Sequence, residues 1–137
     1  MTVDIPALLN AHGIQPSAQR VAVAQYVLDT NQHPSADEVW NRVREHFPHI
    51  SRATIYNTLN LLVAKGLLRQ VALTEGRVVF DPNTSAHHHF IDDETGVISD
   101  IPWDALEVSN VNQLEGFDVR EYQVVLRGSQ SKKKRRA

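Results

Sequence analysis

The chain contains no cysteine in its 137 residues. Disulfide frameworks, cysteine zinc ribbons, thiol redox switches and cysteine nucleophiles are thereby excluded. Long apolar runs are missing as well, and no stretch approaches the roughly 18 residues a membrane span requires. Residues Met1 to His12 lack a basic start followed by an apolar stretch. No secretory signal is expected, and a cytoplasmic location is the default. A glycine-rich phosphate loop, a nucleophilic serine elbow and the His-Glu-x-x-His pattern are all absent, as are internal repeats. What is there is an ordinary soluble composition, 42% hydrophobic and 22% charged, sufficient for one compact domain or two small ones with thin cores.

The net charge of -2 hides an uneven distribution. Through residue 80, seven Lys/Arg stand against six Asp/Glu; residues 81–128 carry two against ten. The last nine residues, 129–137, hold Lys132, Lys133, Lys134, Arg135 and Arg136. That run predicts a disordered basic tail, with loose attraction to nucleic-acid phosphates as its functional alternative. The acidic middle block fits hard cations or solvated surface.

The first 66 residues read as helices. Ile5, Leu8 and Leu9 form a short apolar stripe ended by Gly13. A second helix starts at about Pro16 and buries Val21, Ala24, Val27 and Leu28. Ser35 and Glu38 make a capping box, and Val39, Trp40 and Val43 face inward from the helix it starts. A fourth helix runs from an N-cap at Ser51 to a stop at Gly66, with Ile55, Leu59, Leu62 and Val63 as its core stripe. Its other face carries Arg52, Ala53, Tyr56, Asn57 and Asn60, where a solvated helix would place Glu and Lys. The period then falls to two, through Leu68, Val71 and Leu73, a turn at residues 74–76, and a returning strand Arg77 to Asp81. Helix, turn, helix and hairpin is the order of a winged helix-turn-helix.

Residues 82–85 read as a linker and 86–128 as a small α/β lobe. Strand candidates lie at His88–Ile91, Val97–Ile101 and Arg120–Arg127, with a helix from about Asp104 to Leu114. Such a lobe is marginal alone, so a homodimer is expected. The fold class is α+β, a winged-helix domain over 1–81 followed by a dimerisation domain.

The chemistry sits in seven histidines, three of them consecutive. In a strand, His87 and His89 share one face and His88 takes the other. Asp81 lies upstream, Asp100 on the paired strand and His33 in a loop. Three imidazoles and two carboxylates suit Fe(II), Mn(II), Co(II) or Zn(II); the triplet alone equally fits surface histidines without a ligand. His12, His46 and His49 sit at helix ends, where solvated histidines are ordinary. The turn at Asp92, Asp93 and Glu94 has no apolar pocket to raise a pKa. A metal hydrolase using the His and Asp residues is the main enzyme alternative.

At these residues the chain resembles the ferric uptake regulator superfamily of bacterial metal-dependent repressors. The matching segments are 16–20 (PSAQR), 33–39 (HPSADEV), 51–59 (SRATIYNTL), Arg77 to Asp81, and His87-His88-His89, in the family's order and spacing over about 10–128. The resemblance implies a single regulatory site at His33, Asp81, His87, His89 and Asp100, at the hinge between the two domains. One Fe(II) or Mn(II) would fill it, with zinc entering on purification. Asp at position 100 is similar to peroxide-sensing members, and the triple histidine to iron response regulators that interact with haem, which makes His88 a candidate haem contact. The implied DNA-binding residues are Arg20, Arg52, Ala53, Tyr56, Asn57 and Asn60, on a palindromic duplex read by a homodimer. Two departures stand out. The paired CxxC motifs for structural zinc are missing, and Tyr122 replaces a metal-binding His of many members. The expected function is a peroxide-responsive repressor, not an enzyme. An iron- or haem-responsive regulator of iron metabolism genes is the alternative.

Overall fold

A computed structural model describes residues 3–30, 32–74 and 76–130. The expected basic run at 132–136 lies outside them. The chain divides into two compact units, the break falling between Thr84 and Ser85. No helix is long and apolar enough to cross a membrane.

The first unit opens with four helices, each started by a side chain that accepts a first-turn amide N–H. Asp4 caps α1 (Ile5–Ala11) and Ser17 caps α2 (Ala18–Leu28). Pro16 thus precedes the second helix and does not begin it. Ser35 caps α3 (Ala36–Val43) with both halves of the capping box formed, and Ser51 caps α4 (Arg52–Ala64). Gly66, at φ 78°, adopts the left-handed conformation just beyond the end of α4. The helices share one apolar core that includes Leu9, Val23, Val27, Val39, Ile55, Leu59 and Leu62. Val21, Trp40 and Val63, expected in that core, pack at its edge. Trp40 instead spans from core to surface and donates its indole N–H to Ile50 O at 3.0 Å.

Two antiparallel strands follow, β1 (Arg69–Thr74) and β2 (Arg77–Asp81), pairing Val71 with Val79 and Arg69 with Asp81. Helices first, then a hairpin, is the winged helix-turn-helix order. Phe80 N–H donates to Pro34 O at 2.9 Å, which ties the loop before α3 to β2.

The second unit is a three-stranded sheet of order β4-β3-β5. Its central strand is β3 (His87–Asp92), antiparallel to β4 (Ile98–Pro102) and parallel to β5 (Val125–Gly128). The closing strand is shorter than expected and begins at residue 125. The expected helix over 104–114 does not form; two short 3-10 turns, Trp103–Ala105 and Val111–Gln113, replace it. Leu106 is extended and Asn110 is left-handed at φ 69°, and either breaks an α-helix. Ser109 and Asn110 compete for backbone hydrogen bonds in ways that favour turns. Gln130 N–H reaches Asp92 Oδ2 at 3.4 Å, so the start of the presumed tail is engaged.

Candidate metal centre and nucleic-acid interface

Two local clusters carry the expected ligands, one in each unit. In the first, His33 Nε2 lies 3.1 Å from Asp81 Oδ2, both residues being almost fully buried. Two features build this pair. The Pro34–Phe80 hydrogen bond draws the His33 loop onto β2. His33 itself holds φ at 54°, a left-handed conformation that histidine visits more readily than most residues but at some energetic cost. Asp81 Oδ1 accepts Asn83 N–H at 2.9 Å, a turn contact that fixes the carboxylate.

In the second unit, strand alternation puts His87 and His89 on one side of β3, with ring centroids 4.6 Å apart. Asp100 is the direct cross-strand partner of His89. Its Oδ1 lies 3.3 Å from His87 Nε2 and 3.6 Å from His89 Nε2. The far nitrogen of each ring is anchored. His87 Nδ1–H donates to Ser85 O at 2.7 Å, and His89 Nδ1–H donates to Gln123 Oε1 at 2.8 Å. A carbonyl can only accept, so each Nδ1 carries a proton, and in the neutral ring the lone pair then lies on Nε2. Two Nε2 lone pairs and a carboxylate oxygen therefore converge. All three are electron-pair donors, and a cation between them satisfies them together. Donor atoms about 2.1 Å from one ion stand about 3.0–3.4 Å apart, close to the separations from Asp100. The residues fit a divalent metal. Asp100 is the exposed member, its side chain 36% accessible against 4% and 0% for the imidazoles. Among the described residues, no other set of three or more His, Asp or Glu side chains is gathered closely enough to hold a metal ion.

His88 has the opposite tautomer. Its Nδ1 accepts Val124 N–H at 2.9 Å, and its ring, 1% exposed, stacks on Trp103 at 4.6 Å and 16°. Tyr122 packs on Trp103 at 4.7 Å. His88 is a buried, packed residue whose Nδ1 is already engaged. The sequence reading missed Gln123, Trp103 and the Ser85 carbonyl; they lie in segments without a recognisable pattern.

Asp92 also differs from a catalytic acid. The amide N–H of Glu94, then that of Thr95, with Gln130 adding, outweigh burial and hold its carboxyl below the usual 3.8. A general acid needs the reverse shift.

On α4, Ile55, Thr58, Leu59 and Leu62 are buried, while Arg52, Ala53, Tyr56, Asn57 and Asn60 are exposed. Arg52 lies 4.7 Å over the Trp40 ring and 3.4 Å from Asp37, an exposed pair too weak to lock it. Grooves flank the helix. One is lined by Arg20, Gln15, Ser17, Thr54 and Asn57; the other by Tyr56, Asn60, Asp37 and Arg77 of the hairpin. Arg20 donates to Gln15 O at 3.0 Å across the start of α2.

The sequence profile of the ferric uptake regulator family matches residues 11–127. The peroxide-responsive repressor PerR of Staphylococcus aureus strain Mu50 is 33% identical over 124 residues, covering 89% of this chain and 84% of that one. Two solved structures share the fold. The ferric uptake regulator from Pseudomonas aeruginosa with manganese superposes with a TM-score of 0.69 at 23% identity, over 95% of this chain and 100% of its own. The Campylobacter jejuni peroxide stress regulator gives 0.66 at 24%, over 96% and 99%.

Proposed function

The chain belongs to the ferric uptake regulator family, whose members are transcriptional regulators and not enzymes, and on that premise we propose that it is a metal-dependent DNA-binding repressor that responds to peroxide. One observation supports the metal reading above the others: with each Nδ1 bonded to a carbonyl oxygen, His87 and His89 both turn Nε2 toward Asp100.

The five ligands of the proposal are His33, Asp81, His87, His89 and Asp100. A bound divalent ion would supply positive charge at these donors. His33 and Asp81 belong to the first unit and the other three to the second. Each unit by itself holds part of a coordination sphere, and shared ligation would favour whichever arrangement lets all five serve one ion. The hard carboxylates and borderline imidazoles suit Fe(II), Mn(II) or Zn(II), and the missing thiolates leave no second, cysteine-bound zinc.

In the proposed complex, two copies of the chain present α4 to successive major grooves of a palindromic duplex, about one helical turn apart. Arg20 and Arg52 contact phosphates or bases, Ala53 meets a thymine methyl, and Tyr56, Asn57 and Asn60 supply polar readout. Similarity to the Staphylococcus aureus repressor, together with Asp at position 100, favours peroxide as the signal. Haem has no support from the packing of His88.

The test is a DNA-binding titration with Fe(II), Mn(II), Zn(II) and haem, before and after peroxide. The expected result is tight binding with each divalent ion and loss after peroxide only in the Fe(II) form. Binding that ignores peroxide in the Fe(II) form would refute the signal, and binding that ignores metal would refute the whole reading.

A further inference from the structure

The strand of histidines is clasped by the segment just before β5. His89 N–H donates to Val124 O at 3.1 Å, Val124 N–H donates to His88 Nδ1 at 2.9 Å, and His89 Nδ1–H donates to Gln123 Oε1 at 2.8 Å. The first two bonds hold backbone. The third is the only one of the three made by a side chain to a ligand imidazole, and it spans 34 positions of sequence.

We infer that Gln123 is the positioning residue of the metal centre, setting the tautomer and ring angle of His89 so that Nε2 is the coordinating atom. The inference rests on the metal reading above and deepens it. His87 takes the same tautomer from a backbone carbonyl that no substitution removes, whereas His89 depends on a replaceable amide. His89 is fully buried, so water cannot readily take the place of that acceptor. Without it, the Nδ1–H and Nε2–H forms become comparable, and a proton on Nε2 blocks the coordinating lone pair. A primary amide is neutral. It orients the ring without adding a negative charge beside the Asp100 carboxylate.

The experiment compares the full-length chain with Gln123→Met, which keeps length but removes the acceptor, and with Gln123→Glu, which restores one. Two quantities are read: the His89 tautomer by long-range 1H–15N correlation in metal-free protein, and Mn(II) affinity by competition with a chelating dye. The expected wild-type tautomer is Nδ1–H. Gln123→Met should give a mixture at His89, leave the Nε2–H tautomer of His88 unchanged, and weaken Mn(II) binding roughly 10–100-fold, the usual consequence of losing an outer-shell partner. Gln123→Glu should restore both readouts. An Nε2–H tautomer at His89 in the wild type, or unchanged Mn(II) affinity in a folded Gln123→Met, would overturn the inference. If Gln123→Met fails to fold, the wild-type tautomer decides. Failure of the wild type to take up Mn(II) would instead overturn the metal reading, since the metal-free tautomer is measured independently of it.

Discussion

Three adjacent histidines take two different jobs because neighbouring residues of a strand face opposite ways. The alternation of β3 is legible in the sequence, and by itself it separates His88 from His87 and His89. The tautomers were not readable, because they are set by Ser85, Gln123 and Val124, two of which lie more than 30 positions away. His87→Ala and His89→Ala should each abolish most metal-dependent DNA binding, and because both imidazoles are buried and hydrogen-bonded they should lower thermal stability as well. His88→Ala should spare the metal response while lowering stability. It strands Val124 N–H inside the unit and removes the Trp103 stack, at about 1–3 kcal/mol for the unmet donor alone. Thermal melts beside DNA-binding isotherms separate the two patterns; equal losses of metal response at all three positions would contradict the assignment.

Among the elements, α4 followed its sequence closely. The spacing of Ile55, Leu59 and Leu62 fixed its phase, and a phase fixes the opposite face with no further information. Tyr56→Ala should weaken specific DNA binding by about 1–3 kcal/mol while leaving metal affinity and folding intact, since the ring is 42% exposed. Unfolding of that variant would show the phase to be wrong. The stretch 104–114 failed for a complementary reason: it has apolar residues but no stripe that the thin sheet can bury, so Ser109 and Asn110 decide its shape locally. At the β3–β4 turn, Asp92 gathers the N–H groups of Glu94, Thr95 and Gln130. Its lowered pKa means the ionised form is the stabilising one. That contribution is present above the ordinary value of 3.8 and is lost as pH falls through the lower folded value. Asp92→Asn should therefore melt lower than wild type at neutral pH, with the gap closing in strong acid; a gap independent of pH would contradict this.

For the molecule as a whole, the absence of cysteine is the most informative feature. The first unit has a complete apolar core, and the second closes its sheet through Ile91, Ile98 and backbone pairing, so neither relies on a thiolate-bound ion. A chelator should leave far-UV circular dichroism and the mass by light scattering, expected to be that of a homodimer, unchanged. Loss of secondary structure or dissociation would make the ion a folding requirement. Metal then acts on DNA binding alone. That central claim is tested most directly by counting Mn(II) bound per chain, by electron paramagnetic resonance, while following binding of a labelled operator duplex by anisotropy in one titration. The account predicts that DNA binding rises in step with Mn(II) occupancy, saturates at one ion per chain, and is absent in His89→Ala. Equal DNA affinity in chelator and in saturating Mn(II) would contradict it.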